Sequence, residues 1–576
     1  MKILTIHLGH DNNICIYDSE TLDFSYIKEE RLSGDKHSPK TDKIIERIKE
    51  LSFDIVVIAF TWMQEKHQMD LYHYYSSGNE LYSQKQEKIK YIRKHFPKIK
   101  INEFPVDGIF CKYHKLLEET NNLNIPVYCV QHDYAHILSG WMLGIHHSYG
   151  ISIDGGGPDY NNKLILKNPF DIKNVEVLFF SRLTCNINNA DIVLEDFGYK
   201  NSLGVSLGLI GKLMKLSGMT YDFAGKIMGM SAYGNINTDI VKRFNNAFID
   251  VTKFQMVAFI KRLFREKLNI KHIDVKNGHY TSYCNFKNQD FLDIVTSIQY
   301  IWKKTVLLLF NKFIPKNSAV IYSGGCAQNT ITNKALLKDY PNLDIVPHCY
   351  DGGLSLGCLA FVILKHNLQF PKLENFPYIQ TDMSVDPPSE TTIKQVAKLL
   401  AEGKIVGWYQ GHGEVGPRAL GNRSILMNPS IENAKDILNS KVKHREHWRP
   451  FAPSIMEEYA SDWFDIEKSK YMMIAANVHE DKRKLIPAVT HKDGSSRIQT
   501  VTLEDNKIFY NLLKEFYSIT NIPMLLNTSL NKGGGPIVGD PSQAIDIYND
   551  TELDALCVGD QLYVKNYEFI KVNNGS

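Results

Sequence analysis

A glycine-rich turn followed by closely spaced basic residues, between positions 403 and 453, constrains the fold of this chain more than any other stretch. A short apolar run at residues 405–408 leads into the turn, and basic side chains recur after it: Arg418, Arg423, Lys443, Arg445 and Arg449. Trp448 and Phe451 lie among them, which is unusual for a solvated basic surface. Glycine lets main-chain N–H groups approach a ligand closely, and one guanidinium group can bind two oxygens of a phosphate or carboxylate at once. The stretch therefore predicts an anion-binding pocket, with a solvated surface as the alternative.

Histidines and strand-end aspartates upstream have the spacing of a metal site. His132 and His136 are four residues apart, so on a helix both imidazoles project from one face. Such a pair alone is more often structural, but Asp154 and Asp351 each end a strand-like apolar run and complete a mixed nitrogen and oxygen ligand set. We therefore predict that these four residues bind a divalent metal, with iron, manganese and zinc as candidates.

Two further strand ends carry glycines or amides. Gly324 and Gly325 stand between an apolar run and a helical pattern, where the free N–H groups of a helix N-terminus suit phosphate binding. Asn329 and Asn333 share one face of that helix. Farther on, an apolar run at residues 523–526 ends in three polar side chains: Asn527, Thr528 and Ser529. Both segments predict ligand contacts, although ordinary turns have a similar composition.

The length of 576 residues exceeds one ordinary core, so at least two domains are expected. Four prolines and little apolar periodicity at residues 369–388 predict a linker between a first domain, 1–368, and a second, 389–576. The second is expected to begin with a helix that starts near Ser389 and ends at Gly403. Strand-like runs alternate with helical patterns in both, which predicts the α/β class.

Composition excludes several classes of protein. A hydrophobic content of 43%, a charged content of 23% and a net charge of +2 are those of a globular chain without a general affinity for nucleic acid or membrane surfaces. The nine cysteines include no CxxC pair, which disfavours a disulfide framework or a zinc ribbon and favours a reducing cytoplasm. The N-terminal apolar run is too short for a signal peptide, and no stretch predicts a membrane span.

Taken together, the motifs resemble the O-carbamoyltransferase family of nodulation-factor and antibiotic biosynthesis. The resemblance runs through most of the chain, and the segments that carry it are GHD at 9–11, HDYAH at 132–136, IDGGG at 153–157, NSLG at 201–204, GKIMG at 225–229, SGGCAQN at 323–329, YDGG at 350–353, GPRALGNRSIL at 416–426, VKHREHWRPFAP at 442–453, RIQT at 497–500, NTSLN at 527–531 and PIV at 536–538. It implies an N-terminal domain similar to actin, Hsp70 and sugar kinases, and a YrdC-like α/β C-terminal domain.

In that family the C-terminal domain converts carbamoyl phosphate and ATP into carbamoyl-adenylate and pyrophosphate. The N-terminal domain then moves the carbamoyl group to the hydroxyl of a small-molecule acceptor and releases AMP. The resemblance thus implies carbamoyl phosphate, Mg-ATP and the acceptor as partners, and a homodimer is compatible with it. It favours Fe²⁺ over Mn²⁺ or Zn²⁺ at His132, His136, Asp154 and Asp351.

The resemblance also implies roles for the remaining candidates. Catalytic roles fall to His10, Arg418, Lys443 and Arg449. Substrate binding falls to Arg423, Arg445, Asn527, Thr528 and Ser529. Nucleotide binding falls to Asp11, Gly155, Gly156, Gly324, Gly325, Asn329 and Asn333. His10 has two open interpretations, a general base on the acceptor hydroxyl or a turn histidine that contacts phosphate.

Departures from the family pattern concern the acceptor more than the activation chemistry. They are Ala224, His412, Leu530 and Gly535, where the family usually has an acidic residue, Arg, Phe and Glu. One rival is a fused tRNA threonylcarbamoyl-transfer protein, which the near-neutral charge disfavours. Another is a nucleotide-binding regulator without catalysis, which the complete set of arginines and metal-ligand candidates disfavours.

Overall fold

The computed structural model describes residues 1–9, 11–37, 40–60, 125, 127–145, 147, 149–154, 164–167, 176–180, 183–188, 191–196, 203–213, 216, 220–248, 256–267, 286–373, 375–381 and 383–565. Helices and strands are mixed along these ranges, so the predicted α/β class is confirmed. None of the described helices combines the length and the apolar character that a membrane crossing requires.

The first sheet has five strands in the order β3-β2-β1-β4-β5. The strands are β1 (Lys2–His7), β2 (Asn13–Asp18), β3 (Phe24–Lys28), β4 (Ile55–Phe60) and β5 (Val127–Gln131). β1, β4 and β5 run parallel, and β2 is antiparallel to both β1 and β3. Ile3 and Leu4 are consecutive and both fully buried because each face of the sheet is covered.

Helices cover both faces of this sheet. They are α1 (Glu29–Ser33), α2 (Asp42–Ile48), α3 (His132–Trp141) and, from much later in the chain, Leu354–Lys365. Leu4 packs with Ile44 and Ile48 of α2 on one face, while Ile3 packs with α3 and with Leu354–Lys365 on the other. The second of these layers carries the histidine pair into the core.

A second sheet has the order β12-β11-β6-β8, and every neighbouring pair in it is parallel. Its strands, with a separate antiparallel sheet β7-β10-β9, are β6 (Tyr149–Ile153), β7 (Leu164–Lys167), β8 (Glu176–Phe180), β9 (Leu183–Asn188), β10 (Asp191–Asp196), β11 (Val320–Ser323) and β12 (Leu343–Asp344).

The helices that accompany this sheet are α4 (Leu203–Leu213), α5 (Thr220–Met230), α6 (Thr238–Ala247), α7 (Met256–Lys267), α8 (Gln289–Phe313), α9 (Thr330–Leu336) and α10 (Leu354–Lys365). The Asn288 side chain caps α8 by accepting from Phe291 N. Phe291, Val295 and Ile298 then repeat at helical spacing along its buried face.

The third sheet has seven strands in the order β18-β15-β19-β14-β13-β20-β21. The strands of this region are β13 (Val406–Tyr409), β14 (Arg423–Met427), β15 (Ala452–Met456), β16 (Ala475–Asn477), β17 (Ser495–Arg497), β18 (Gln499–Val501), β19 (Met524–Ser529), β20 (Ala555–Val558) and β21 (Gln561–Val564), and β16 pairs with β17 apart from the main sheet. Its helices are α11 (Glu390–Ala401), α12 (Ala434–Ile437), α13 (Ala460–Trp463), α14 (Lys507–Thr520) and α15 (Pro541–Asp550).

The predicted helix after Ser389 is α11. The Ser389 side chain accepts from Thr392 N, and the helix is followed by Gly403 at φ +86°. The proline-rich segment before it makes specific contacts on both sides: Gln380 bridges to Tyr26 of β3 and to Gly413 in the loop after β13. Main-chain pairing therefore ties the first and third sheets together through this segment.

Candidate active site

Three elements converge to bring the predicted metal ligands together. His132 and His136 lie in the first turns of α3, Asp154 follows β6, and Asp351 begins the turn that leads into α10. One ligand atom from each lies within 4.8 Å of every other. We call these four residues the histidine–aspartate cluster.

The spacing inside the histidine–aspartate cluster fits a single metal ion. The Nε2 atoms of His132 and His136 are 3.2 Å apart, and they lie 3.2 and 3.0 Å from Asp154 Oδ2. Both are 3.5 Å from Asp351 Oδ1. Two ligand atoms that are each about 2.1 Å from one ion lie roughly 3.0–3.4 Å apart at octahedral or tetrahedral angles. Two imidazoles with two carboxylates suit Fe²⁺, Mn²⁺ or Zn²⁺.

The charges of this cluster favour a cation. Burial lowers the pKa of His136, but hydrogen bonds to Asp154 and Asp351 outweigh it and raise the pKa to about 10. Burial alone would raise the pKa of Asp154, yet its contacts with both histidines hold that pKa well below the usual range. The two carboxylates therefore stabilise positive charge at the imidazoles, whether a proton or a metal supplies it.

The Gly324–Gly325 turn lies directly against this cluster. Gly324 has φ +83°, and a Cβ there would be 2.3 Å from the main-chain oxygen of Ile153. The N–H of Gly325 lies 3.3 Å from Asp154 Oδ1. β6 and β11 are parallel neighbours, so both strand ends reach the same edge of the sheet. Only glycine permits this approach of one turn to the other.

The two asparagines after this turn have protein partners. Asn329 caps α9 through Thr332 N and exchanges side-chain hydrogen bonds with Gln299. Asn333 donates to the main-chain oxygens of Ala327 and Met473, at 2.7 and 2.8 Å. Asn333 thus connects α9 to the C-terminal region, and its nucleotide role stays a prediction.

Asp11 lies in a separate buried ion cluster. Lys28 Nζ is 2.8 Å from Asp11 Oδ1, 2.7 Å from Glu30 Oε1 and 2.9 Å from the Tyr350 hydroxyl. His37 Nδ1 lies 3.2 Å from the same Asp11 oxygen. The pKa of Lys28 is raised well above its ordinary value, because the two carboxylates outweigh burial. His10, Gly155 and Gly156 lie outside the described residues.

Four basic residues of the predicted anion pocket lie together with one further arginine, and we call these five residues the basic cluster: Arg418, Lys443, Arg445, Arg449 and Arg497. Burial and Arg449 lower the pKa of Arg445 to about 9. Burial and the charges of Arg418, Arg445 and Arg449 hold the pKa of Arg497 well below its ordinary value. The Nε atoms of Arg418 and Arg497 are buried and, in the part of the chain that the structure describes, have no hydrogen-bond partner.

Arg497 was not among the predicted site residues. It is the last residue of β17 and the first of the RIQT segment, which is one of the segments that carry the family resemblance. The motif was therefore recognised in the sequence, but no role was predicted for Arg497. The β16–β17 pair, which is separate from the main sheet, carries its side chain to the other arginines.

Lys443 donates hydrogen bonds to the end of β19 and to the loop that follows it. Lys443 is buried, and its Nζ donates to the main-chain oxygen of Ser529 and to both oxygens of Asn531. Asn527 is also buried and donates to Ser454 Oγ at 2.9 Å. Thr528 and Ser529 are half-buried at the strand end. Lys443 therefore shapes the loop that presents these two hydroxyls.

Arg423 belongs to the loop framework rather than to the basic cluster. Its side chain is fully buried and stacks on Tyr409, its cross-strand neighbour, at 3.6 Å from the ring centroid. Its guanidinium donates to four main-chain oxygens, those of Met383, Gln410, Gly411 and Asn422. The Arg423 guanidinium therefore makes four hydrogen bonds within the protein, and the substrate-binding role that the resemblance implies for it stays a prediction.

Glu414 organises the same glycine-rich loop. It is fully buried, and its Oε1 accepts from the main-chain N–H groups of Leu420, Asn422 and Arg423 at 2.7, 2.9 and 3.1 Å. Three N–H groups on one carboxylate fold residues 414–423 into a fixed turn. Arg418 lies within that turn.

The basic cluster and the histidine–aspartate cluster are connected through one segment. A Cβ on Gly416 would be 2.7 Å from the main-chain oxygen of Pro347, so the Arg418 loop touches the segment that leads to Asp351. Burial raises the pKa of Cys349 in that segment to about 12, and the charge of Arg418 opposes this rise. On another side, Lys226 Nζ lies 3.0 Å from Glu446, whose other oxygen is 3.7 Å from Arg449.

Comparison with known sequences shows the family. One family model, "Carbamoyltransferase N-terminus", matches residues 2–359, and another, "Carbamoyltransferase C-terminus", matches residues 397–565. The chain belongs to the carbamoyltransferase family. The histidine–aspartate cluster lies in the first matched range and the basic cluster in the second. The resemblance inferred from the motifs is confirmed.

Two nodulation proteins are similar to this carbamoyltransferase-family chain. NolNO of Sinorhizobium fredii is 27% identical over 464 residues, which cover 76% of this chain and 64% of that protein. NolO of Bradyrhizobium diazoefficiens is 33% identical over 297 residues, 47% of this chain and 54% of that protein. The chain spans between about half and two-thirds of the length of these relatives.

Among solved structures, the activator of the 2-hydroxyisocaproyl-CoA dehydratase from Clostridium difficile with bound ADPNP is similar at a TM-score of 0.30. Its identity is 11%, and the match covers 64% of this chain and 97% of that one. A TM-score this low does not establish a common fold.

Proposed function

We propose that this member of the carbamoyltransferase family is an ATP-dependent O-carbamoyltransferase. In the first reaction, carbamoyl phosphate, water and ATP give carbamoyl-adenylate, pyrophosphate and orthophosphate. The phosphate of carbamoyl phosphate leaves as orthophosphate, while one oxygen stays between the carbamoyl carbon and the α-phosphorus of ATP. One water molecule is therefore consumed. In the second, an acceptor hydroxyl attacks the carbamoyl carbon, AMP leaves with the electron pair, and the hydroxyl proton passes to a base.

The basic cluster is the observation that supports the first reaction. No carboxylate among the described residues lies within 4.0 Å of the guanidinium groups of Arg418, Arg445 or Arg497. Holding like charges together in a partly buried site costs free energy unless an anion is bound. Two phosphorylated substrates supply that negative charge, and the arginines in turn reduce the repulsion between them.

We assign the residues of this site as follows. Arg418, Arg445, Arg449 and Arg497 bind the phosphate groups and neutralise the charge that develops on the leaving pyrophosphate. Thr528 and Ser529 orient the carbamoyl group by hydrogen bonds from their hydroxyls. Lys443 holds the loop after Ser529, Arg423 holds the glycine-rich loop, and Asn527 joins β19 to β15.

The second reaction is assigned to the histidine–aspartate cluster. When bound there, a divalent metal supplies Lewis-acid polarisation of the reacting centre. His132, His136, Asp154 and Asp351 would hold the metal, and the Gly324–Gly325 turn, which lies against Asp154, is assigned to the adenylate phosphate. The acceptor is a small-molecule hydroxyl, on a sugar or a secondary metabolite.

The strand order supports the proposed domain types. The order 3-2-1-4-5 with only β2 antiparallel is that of one half of an actin, Hsp70 or sugar-kinase domain. In the second sheet, β12-β11-β6 repeats the parallel part of this order. We propose the actin-like type for residues 1–368 and the YrdC-like type for residues 389–576.

Pyrophosphate release tests the proposal. We expect it to require ATP and carbamoyl phosphate together, and Arg418→Ala to lower its kcat/KM at least about 100-fold. Arg243→Ala is the matched control, because Arg243 is half-buried and pairs with Glu266 rather than with a member of the basic cluster. Pyrophosphate release without carbamoyl phosphate, or normal activity of Arg418→Ala, would refute the assignment.

A further inference from the structure

The two carboxylate oxygens of Asp351 face different imidazoles. Oδ1 lies 3.5 Å from the Nε2 atoms of His132 and His136, whereas Oδ2 lies 3.6 Å from Nε2 of His7. His7 is the last residue of β1, and its side chain is buried at 3% exposure. No role was assigned to it by the sequence or by the proposed mechanism.

Asn13 fixes the position of His7 relative to Asp351. Asn13 is the cross-strand partner of His7, and its Nδ2 donates to the main-chain oxygen of Asp351 at 3.0 Å. Asn13 Oδ1 accepts from Ser355 N at 3.1 Å, which joins the start of β2 to the start of α10. The pair formed by the last residue of β1 and the first residue of β2 therefore contacts both the carboxylate and the main chain of Asp351.

Two further contacts confine the imidazole. The ring of His7 meets that of His132 edge to face, with centroids 6.2 Å apart and an interplanar angle of 63°. A Cβ on Gly9 would be 3.0 Å from His7 Nε2, so a larger residue there would push the ring away from its position. The side chain is thus held between a ligand histidine and a glycine.

We propose that His7 is a positioning residue for the metal site, which donates from Nε2 to Asp351 Oδ2 and keeps Oδ1 directed at the two histidines. The inference rests on the metal assignment within the proposed function. At 3.6 Å the pair is in contact without a full hydrogen bond, and a small rotation of either side chain closes it. Outer partners of this kind orient ligating carboxylates, and their loss typically weakens metal affinity about 10- to 100-fold.

Cobalt binding to the full chain tests this role. After the purified protein is stripped with a chelator, Co²⁺ is titrated and followed by its visible absorption. We expect His7→Leu to raise the Kd for Co²⁺ about 10- to 100-fold with the band positions retained. His7→Gln places an amide N–H near the position of Nε2, so we expect it to restore the Kd to within about fivefold of the original chain.

His147→Asn is the control, because His147 also faces an aspartate, Asp344 at 2.5 Å, but outside the cluster. We expect no change in its Kd for Co²⁺. Circular dichroism and thermal unfolding compare the folding of each variant with that of the original chain. An unchanged Kd in His7→Leu, shifted cobalt bands in it, or a His7→Gln affinity as weak as that of His7→Leu would overturn the role.

The outcome is separable from the proposed activity. If the original chain binds no Co²⁺, the metal assignment fails, and the role of His7 fails with it. If the chain binds Co²⁺ and His7→Leu weakens that binding while pyrophosphate release is absent, the role of His7 holds and the proposed activity fails.

Discussion

The main-chain N–H of Gly325 lies 3.3 Å from Oδ1 of Asp154, and a Cβ on that glycine would be 2.9 Å from the same oxygen. The two residues are 171 positions apart in sequence. They meet because β6 and β11 are parallel neighbours whose ends reach one edge of the sheet. The turn proposed to bind nucleotide and the cluster proposed to bind metal are therefore in direct contact.

We expect Gly325→Ala to displace the Asp154 carboxylate and to weaken Co²⁺ binding about tenfold. Cobalt titration of the chelator-stripped protein measures the change. Gly225→Ala is the matched control, because a Cβ at Gly225 meets nothing within 4 Å. Equal Kd values for the two variants would contradict a positional link between Gly325 and Asp154.

We expect Arg497→Gln to lower kcat/KM for pyrophosphate release at least about 100-fold, or about 2.7 kcal/mol, because it removes one of the charges that balance the phosphates. The same substitution relieves repulsion from Arg418, Arg445 and Arg449 in the unliganded protein. The unfolding midpoint in urea should therefore stay the same or rise. A large loss of stability together with normal kinetics would assign Arg497 to the framework instead.

Arg423→Gln provides the contrasting case. The four main-chain oxygens that its guanidinium contacts lose their donors, so we expect a fall of about 3–5 kcal/mol in the free energy of unfolding. Urea unfolding followed by fluorescence measures it. Full stability with a raised KM for carbamoyl phosphate or ATP would return Arg423 to the substrate site.

We expect Glu414→Ala to lower the free energy of unfolding by at least about 3 kcal/mol, since three main-chain N–H groups lose a charged acceptor in a buried loop. Glu432→Ala, at an exposed position, should change it by less than about 0.5 kcal/mol. Chemical denaturation of both variants checks the difference. Similar values for the two would mean that the loop holds its shape without Glu414.

Acid should destabilise the protein partly through His348. Burial lowers the pKa of this fully buried histidine from 6.5 to about 4, against a 3.1 Å contact with the main-chain oxygen of Ser139. The unfolded chain binds the proton more readily, so this contribution is complete above pH 6.5 and is lost as the pH falls towards 4. Between pH 7 and pH 5 it amounts to about 2 kcal/mol.

His348→Gln isolates this contribution, because glutamine stays neutral over the whole range. Urea unfolding of chelator-treated protein at pH 7 and pH 5 should show a smaller difference in the variant, by about 2 kcal/mol. Burial also lowers the pKa of His491 to about 4, so acid destabilisation of the same sign remains in the variant. An unchanged difference between the two pH values would show that His348 is not buried in its neutral form.

Three of the four metal-ligand candidates could be placed from local geometry. His132 and His136 share a helix face wherever a helix contains them, and Asp154 follows β6 as predicted. The predicted strand before Asp351 was wrong: β12 ends at Asp344, and the turns that follow it bring Asp351 to the cluster. The α/β class and the start of α11 at Ser389 follow from patterns of the same short range. The roles of His10, Gly155 and Gly156 remain predictions.

Tertiary structure alone separated the arginines into two groups. Arg418 and Arg423 stand five residues apart and look equivalent in sequence, but Arg423 faces Tyr409 across β13 and β14 and is occupied by main-chain oxygens. Arg497 joins Arg418 only because the β16–β17 pair brings it there. His7 meets Asp351, 344 positions away, for a similar reason. The residue types in the sequence determined which chemistry was available. Strand pairing decided which arginines have hydrogen-bond partners within the protein, because those partners lie far away in the sequence.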